Sequence, residues 1–254
     1  MNKRTKKMIL LGSNTAKAGF ANERVVIDKF NNWKKDTDAK EWLIIMGYKL
    51  DEIEKVIAVN ITGSYKTDVQ VKVKIYLKNA IDAQNLSIKL VSNPHGFNQV
   101  DKRWVDKYVE LWDIPNNITK LLKQFTGEIK TNKKNLRDKR RMFLDEFTAK
   151  EQEQVIGFFE NNKILVITDI LKGRDRFAVD WMLVALKNSS DDKKWVLKSI
   201  NEAMNYYGKE PVYITERGSL KIGRVTMQRK GGDGGRPTAN MLQFKINPVD
   251  LFNI

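Results

Sequence analysis

Asp68, Ser87 and Lys89, together with Glu23, are the side chains whose types and spacing could do chemistry. Asp68 stands at the mouth of an alternating stretch, 69–77, VQVKVKIYL. There Val69, Val71, Val73, Ile75 and Leu77 take one face and Gln70, Lys72, Lys74 and Tyr76 the other. Side chains on a strand flip sides at every residue, so this pattern reads as a half-buried strand whose polar face Asp68 continues. In a second apolar segment, 86–91, Ser87 and Lys89 share a side while Leu86, Ile88 and Leu90 take the other. One register of the two strands therefore gathers Asp68, Ser87 and Lys89 on one side. Glu23 adds a second carboxylate. Such a set can hydrolyse a phosphodiester: carboxylates hold Mg²⁺, the cation polarises the phosphate and activates water, and a lysine stabilises charge or steers the water. Spacing alone favours the plainer reading, a solvated strand face.

Other chemistries are excluded by composition. The 254 residues contain no Cys, which removes disulfides, thiolate zinc sites and cysteine nucleophiles. The single His, His95, can build neither a histidine zinc site nor a two-histidine mechanism.

The elements that must position these groups follow from periodicity. Residues 19–33, GFANERVVIDKFNNW, predict a helix with Phe20, Ile27 and Phe30 facing inward. Glu23 falls on that stripe, where a carboxylate needs a cation, a metal or a cavity unless it is simply a helix-start acid near the rim. A connection at 78–85 makes 69–77 and 86–91 a hairpin. A helix is expected around 99–112 and a basic, weakly patterned region at 116–141. Strands are expected at 163–171, 180–187, 194–198, 221–228 and 241–246, with a helix near 199–207. The expected fold is a single α/β domain over 1–254, a mixed central β-sheet flanked by helices, with a basic N-terminal tail at 1–10.

Formal net charge is +15, with 46 Lys+Arg against 31 Asp+Glu. That excess points to polyanionic partners, phosphate backbones first. No apolar run approaches the ~20 residues of a membrane span. The stretch Met8–Leu11 falls short of the roughly 7–15 residues of a secretory signal core. A soluble cytoplasmic protein without a membrane partner is expected.

Several long strings resemble the GCGC-cutting type II restriction endonucleases of the HinP type. They are LGSNTAKAGFANE (11–23), MGYKLDEI (46–53), KLVSNPHGFNQVDKRW (89–104), DKRRMFLDEF (138–147), VITDILKGR (166–174) and GRVTMQRKGGDGGRPTANMLQFKINP (223–248). A more distant similarity is to CCGG-cutting enzymes of the MspI type, through Gly19 to Glu23, the Asp68–Lys89 hairpin and Met241 to Lys245. The resemblance implies a PD-(D/E)XK-type, restriction-endonuclease-like fold and Mg²⁺-dependent cleavage of both strands of duplex DNA at GCGC, after the first G. It implies that Asp68 and Glu23 bind metal with help from the Ile88 carbonyl, and that Lys89 is the catalytic lysine. The position two before the lysine is a further metal contact in such enzymes, with Glu, Asp or Gln there. Ser87 is shorter and neutral, a departure that leaves it a marginal assistant.

DNA reading falls on two segments. Asn93, Phe97, Asn98 and Gln99 follow Lys89. The amides suit base edges, and Phe97 fits either a wedge between base steps or ordinary core. Arg229, Lys230, Arg236 and Asn240 surround a four-glycine stretch that lets backbone approach a ligand, reading guanines or touching only phosphates. The resemblance favours base reading. Lys130, Lys133, Lys134, Arg137, Lys139, Arg140 and Arg141 form a run suited to gripping phosphates. A palindromic target implies two-fold symmetric binding, by a homodimer or by one chain acting twice. A cognate methyltransferase would protect host sites. The rival reading is a binding-only relative whose metal site has decayed through Ser87. A structured-RNA-binding protein would account for the charge but not for the Asp68–Lys89 hairpin.

Overall fold

The structure, a computed structural model, describes residues 3–63, 66–75, 80–187, 193–232 and 236–254. Its elements are α1 (Lys3–Asn31), α2 (Thr37–Ile45), β1 (Ile53–Asn60), β2 (Val69–Ile75), β3 (Ala80–Val91), β4 (Asn98–Arg103), α3 (Val105–Trp112) and α4 (Asn116–Thr126). There follow α5 (Ala149–Asn161), α6 (Lys163–Leu171), β5 (Trp181–Lys187), β6 (Lys193–Ser199), α7 (Ile200–Gly208), β7 (Val212–Ile214), β8 (Leu220–Ile222), β9 (Val225–Arg229) and β10 (Leu242–Ile246). The fold is α/β with a mixed sheet and flanking helices, as expected, and among the described residues the strands form two five-stranded sheets. Each lies in one of two compact units: 1–12, 99–170 and 204–246 form the first, 13–98, 171–203 and 247–254 the second.

In the second unit the strands run β1-β2-β3-β5-β6. Only the β3–β5 pairing is parallel, with Ser87 opposite Met182 and Lys89 opposite Val184. The hairpin pairs Val69 with Leu86 and Val71 with Gln84. Val69 and Val71 are fully buried, as the alternation demands, while the side chains of 73–79 lie outside the described residues. Strand β3 has neighbours on both edges, so Leu86, Ser87 and Ile88 are all buried. Helices α1 and α2 supply the rest of this core through Val26, Phe30, Trp42 and Leu43. Asp36 caps α2, its side chain accepting from the Ala39 amide at 2.9 Å.

In the first unit the sheet order is β4-β10-β9-β8-β7. Its aromatic core stacks Tyr108 on Trp112 at 4.7 Å and sets both edge-on to Phe244. Gly127 ends α4 at φ 85°, where a side chain would meet the Arg140 carbonyl at 2.6 Å.

Several expectations are corrected. Helix α1 begins at Lys3, so the basic tail at 1–10 is largely helical, and Phe20 is 61% exposed because the buried ridge runs through Asn22, Val26 and Phe30. Residues 80–85 of the expected connection belong to strand β3, and 78–79 lie outside the described residues, as do 76–77 of the expected strand. The helix expected over 99–112 is strand β4 and then α3. Residues 163–171 form helix α6, with Val166, Ile167, Ile170 and Leu171 buried at helical spacing. The region 116–141 opens with α4, and 221–228 spans two strands, β8 and β9.

Candidate active site

All the candidate catalytic residues lie in the second unit. Asp68 directly precedes β2 and is locked by its backbone. Its amide donates to the Leu86 carbonyl at 2.9 Å, and its carbonyl accepts from Ile61 at 3.1 Å. The carboxylate Oδ2 accepts from the Ile88 amide at 2.5 Å and from Ser87 Oγ at 3.3 Å, with Lys89 Nζ 3.5 Å away. Lys89 Nζ also donates to Ser87 Oγ at 2.7 Å and to the Ile88 carbonyl at 3.3 Å. The antiparallel register thus brings Asp68, Ser87, Ile88 and Lys89 into one hydrogen-bonded cluster.

Glu23 enters from α1, half-buried. Asn60, the last residue of β1, donates its amide to Glu23 Oε2 at 2.9 Å and to the Asp68 carbonyl at 3.3 Å. Burial first, and the Asp68 carboxylate second, raise the Glu23 carboxyl above its ordinary range, while Asn60 and Lys89 pull it down. Two carboxylates held near each other leave an excess of negative charge that a cation would relieve. The available donors are the Asp68 and Glu23 carboxylates and the Ile88 carbonyl, an all-oxygen set that suits Mg²⁺. Among the described residues no group of three or more His, Cys, Asp or Glu could hold a metal, so a cation here would keep several waters. Ser87 does not offer itself as a ligand in this arrangement. Its hydroxyl is 4% exposed at residue level and is engaged by Asp68 and Lys89.

The sequence pattern carries no signal for Asn60, which ends the strand IEKVIAVN.

The first segment expected to read DNA is partly structural. Asn98 donates to the Leu90 carbonyl at 3.1 Å and Asn93 accepts from the His95 amide at 2.9 Å, so these two amides shape the turn after β3. Phe97 is 51% exposed, which removes the core reading for it, and Gln99 is exposed on β4. The second segment lies in the first unit. Arg229 Nε donates to the Thr126 carbonyl at 2.8 Å, its terminal nitrogen donates to Asn240 Oδ1 at 2.7 Å, and Asn240 donates to the Gly127 carbonyl at 3.0 Å. Both side chains therefore fasten the end of α4. Lys230 is half-buried and Arg236 exposed, while 233–235 lie outside the described residues.

The basic run is more neutralised than its composition implies. Arg137 pairs with Asp145 and, at 3.6 Å, with Glu146; Arg140 pairs with Asp138 at 2.8 Å. Arg141 lies 3.8 Å over the Phe143 ring, and burial and neighbouring Arg229 push its guanidinium down to about 10. Lys130, Lys134 and Lys139 are exposed and form no ion pair among the described residues.

This architecture has the fold of a solved restriction endonuclease. It superposes with a TM-score of 0.64 on the crystal structure of restriction endonuclease MspI in complex with its cognate DNA, at 15% identity, covering 92% of this chain and 91% of that one. No curated protein sequence matches the chain. The model of the R.HinP1I restriction endonuclease family matches residues 46–252, and the chain belongs to that family.

Proposed function

We propose that the chain is a Mg²⁺-dependent type II restriction endonuclease that cleaves both strands of duplex DNA at GCGC, after the first G. The observation that carries this reading is the cluster of Asp68, Ser87 and Lys89 on the β2–β3 hairpin, with Glu23 beside it. Mg²⁺, held by Asp68, Glu23 and the Ile88 carbonyl, would polarise the scissile phosphate and lower the pKa of a coordinated water. The chain's own residues do the positioning. The Ile88 amide fixes the Asp68 carboxylate, and Ser87 holds the Lys89 ammonium beside it, where the ammonium orients the attacking water and offsets charge building on the phosphate. The DNA seen in the MspI structure supports duplex DNA as the partner, and the sequence resemblance supports GCGC. In a cell such an enzyme needs a cognate methyltransferase to protect host sites.

The test is digestion of a plasmid of known sequence with purified protein, with Mg²⁺ and with EDTA, mapping the ends. Discrete Mg²⁺-dependent ends at GCGC are expected. Tight binding to GCGC duplex with no cleavage would instead favour a binding-only relative.

A further inference from the structure

The loop between α6 and β5, Lys172-Gly173-Arg174-Asp175-Arg176-Phe177, has a shape that its sequence does not explain by packing alone. It carries three cations against one carboxylate, and Arg174, Asp175 and Arg176 are all exposed. Its backbone is nonetheless tightly built. Gly173 and Asp175 hold φ of 78° and 72°, in the left-handed region, and a side chain at Gly173 would meet Lys66 Cγ at 2.6 Å. The Val179 amide returns to the Lys172 carbonyl at 2.8 Å and the Ala178 amide to the Asp175 carbonyl at 3.0 Å. A left-handed aspartate costs of order 1 kcal/mol or more, so the loop is held by outside contacts.

Those contacts come from the residues flanking the proposed metal acid. Thr67, 2% exposed and next to Asp68, donates its hydroxyl to the Phe177 carbonyl at 2.7 Å. Asn85, also buried and two residues before Ser87, donates to the Ala178 carbonyl at 3.0 Å and the Arg176 carbonyl at 3.4 Å. The Asn85 amide donates to Asp180 Oδ2 at 2.9 Å, and its side-chain oxygen accepts from Gln70 at 2.9 Å. Lys66 lies against Gly173. The basic loop is thus bolted to both strands of the hairpin within one or two residues of the cluster, all within the second unit.

We propose that the Lys172–Phe177 loop is a phosphate clamp for the strand being cut, with Arg174 and Arg176 binding backbone phosphates beside the scissile bond and Thr67 as the positioning residue that couples the clamp to Asp68. The proposal rests on the nuclease reading above. Its chemistry is sequence-independent: guanidinium forks match phosphate oxygens and carry no base information. The two phosphate contacts would add to salt-dependent affinity, and fixing the scissile phosphate against the cluster is a further orientation effect that appears in turnover.

The experiment pairs two sets of variants. Affinity of Arg174→Ala/Arg176→Ala for a GCGC duplex is measured in EDTA between 50 and 200 mM salt. Each lost phosphate contact removes about 0.9 from the slope of log K against log salt, so the affinity lost across that range shrinks roughly tenfold relative to wild type. Thr67→Val is assayed for single-turnover cleavage; the rate is expected to fall at least about tenfold with DNA affinity unchanged, and Thr67→Ser is expected to restore it. An unchanged salt slope in the double variant overturns the clamp, and wild-type turnover in a folded Thr67→Val overturns the coupling. Should Thr67→Val not fold, the two exposed arginines still decide. Should the wild type bind GCGC duplex without cutting it, the nuclease reading fails while the salt slope still judges the clamp.

Discussion

Ser87 Oγ accepts a 2.7 Å hydrogen bond from Lys89 Nζ, and lies 3.3 Å from the same Asp68 oxygen that receives the Ile88 amide. Ser87 is therefore a brace for the Lys89 ammonium. Ser87→Ala is predicted to slow cleavage by about tenfold to a hundredfold, because a hydrogen bond to a charged group contributes ~1.5–3 kcal/mol and 1.36 kcal/mol is a factor of ten. DNA affinity should not move. Single-turnover cleavage beside equilibrium binding checks this, and a wild-type rate would remove Ser87 from the site.

The duties proposed for Asp68 and Lys89 can be separated from folding by conservative substitutions. Asp68→Asn keeps an acceptor for the Ile88 amide, and Lys89→Met keeps the half-buried stem. Each is predicted to cut cleavage by at least about 10²–10³, the usual loss when one group that stabilises developing charge is removed. Circular dichroism should show both folded. Cleavage within a factor of a few of wild type in either would place the chemistry elsewhere.

Glu23 sits where it costs stability. Burial and the neighbouring Asp68 raise its carboxyl in the folded state, so the native protein holds that proton more tightly than the unfolded chain. The sign follows: this contribution favours folding at low pH and turns against it as pH rises through the raised value. Glu23→Gln is therefore predicted to raise the melting temperature in EDTA at neutral pH by about 1–3 °C, a modest figure because the group is half exposed. The gain should vanish near pH 4, and cleavage should be lost. Melting curves at both pH values test it; a lower Tm at neutral pH would contradict the electrostatic account.

The hairpin was legible because strand alternation is a strict period. Once Val69 and Val71 are turned inward, Asp68 must share a side with its partners across the register Val69–Leu86. Helix α6 was not legible. Lys163-Ile-Leu-Val-Ile is rich in β-branched residues, and only tertiary burial of Val166 and Ile170, at helical spacing, overrides that preference. Phe20 misled for a related reason: a window starting at Gly19 cannot sense that α1 extends back to Lys3. The roles of Asn60, Thr67 and Asn85 were invisible, since each depends on a carbonyl or carboxylate brought near by a distant segment. The resemblance favours Arg229 and Asn240 as base contacts, and in the structure both side chains donate hydrogen bonds to the carbonyls of Thr126 and Gly127.

The segment after α4 shows why counting basic residues overstates phosphate contacts. Arg137 and Arg140 are each paired with a carboxylate, so binding a phosphate would mean breaking a pair already made. Lys130, Lys134 and Lys139 carry no such partner among the described residues. Replacing the three lysines with Ala is predicted to lower the salt slope of DNA affinity by about 2–3, at about 0.9 for each phosphate released. Arg137→Ala with Arg140→Ala should lower it by less than about 1 on the same scale. The two arginine changes should instead act on stability. Asp138, whose carboxyl Arg140 holds down at about 2, stabilises the fold above the ordinary carboxylate range and loses that contribution as pH falls toward 2. Removing its partner would narrow that acid range in a melting series, and equal salt slopes for the two sets would show that the ion pairs open freely on DNA.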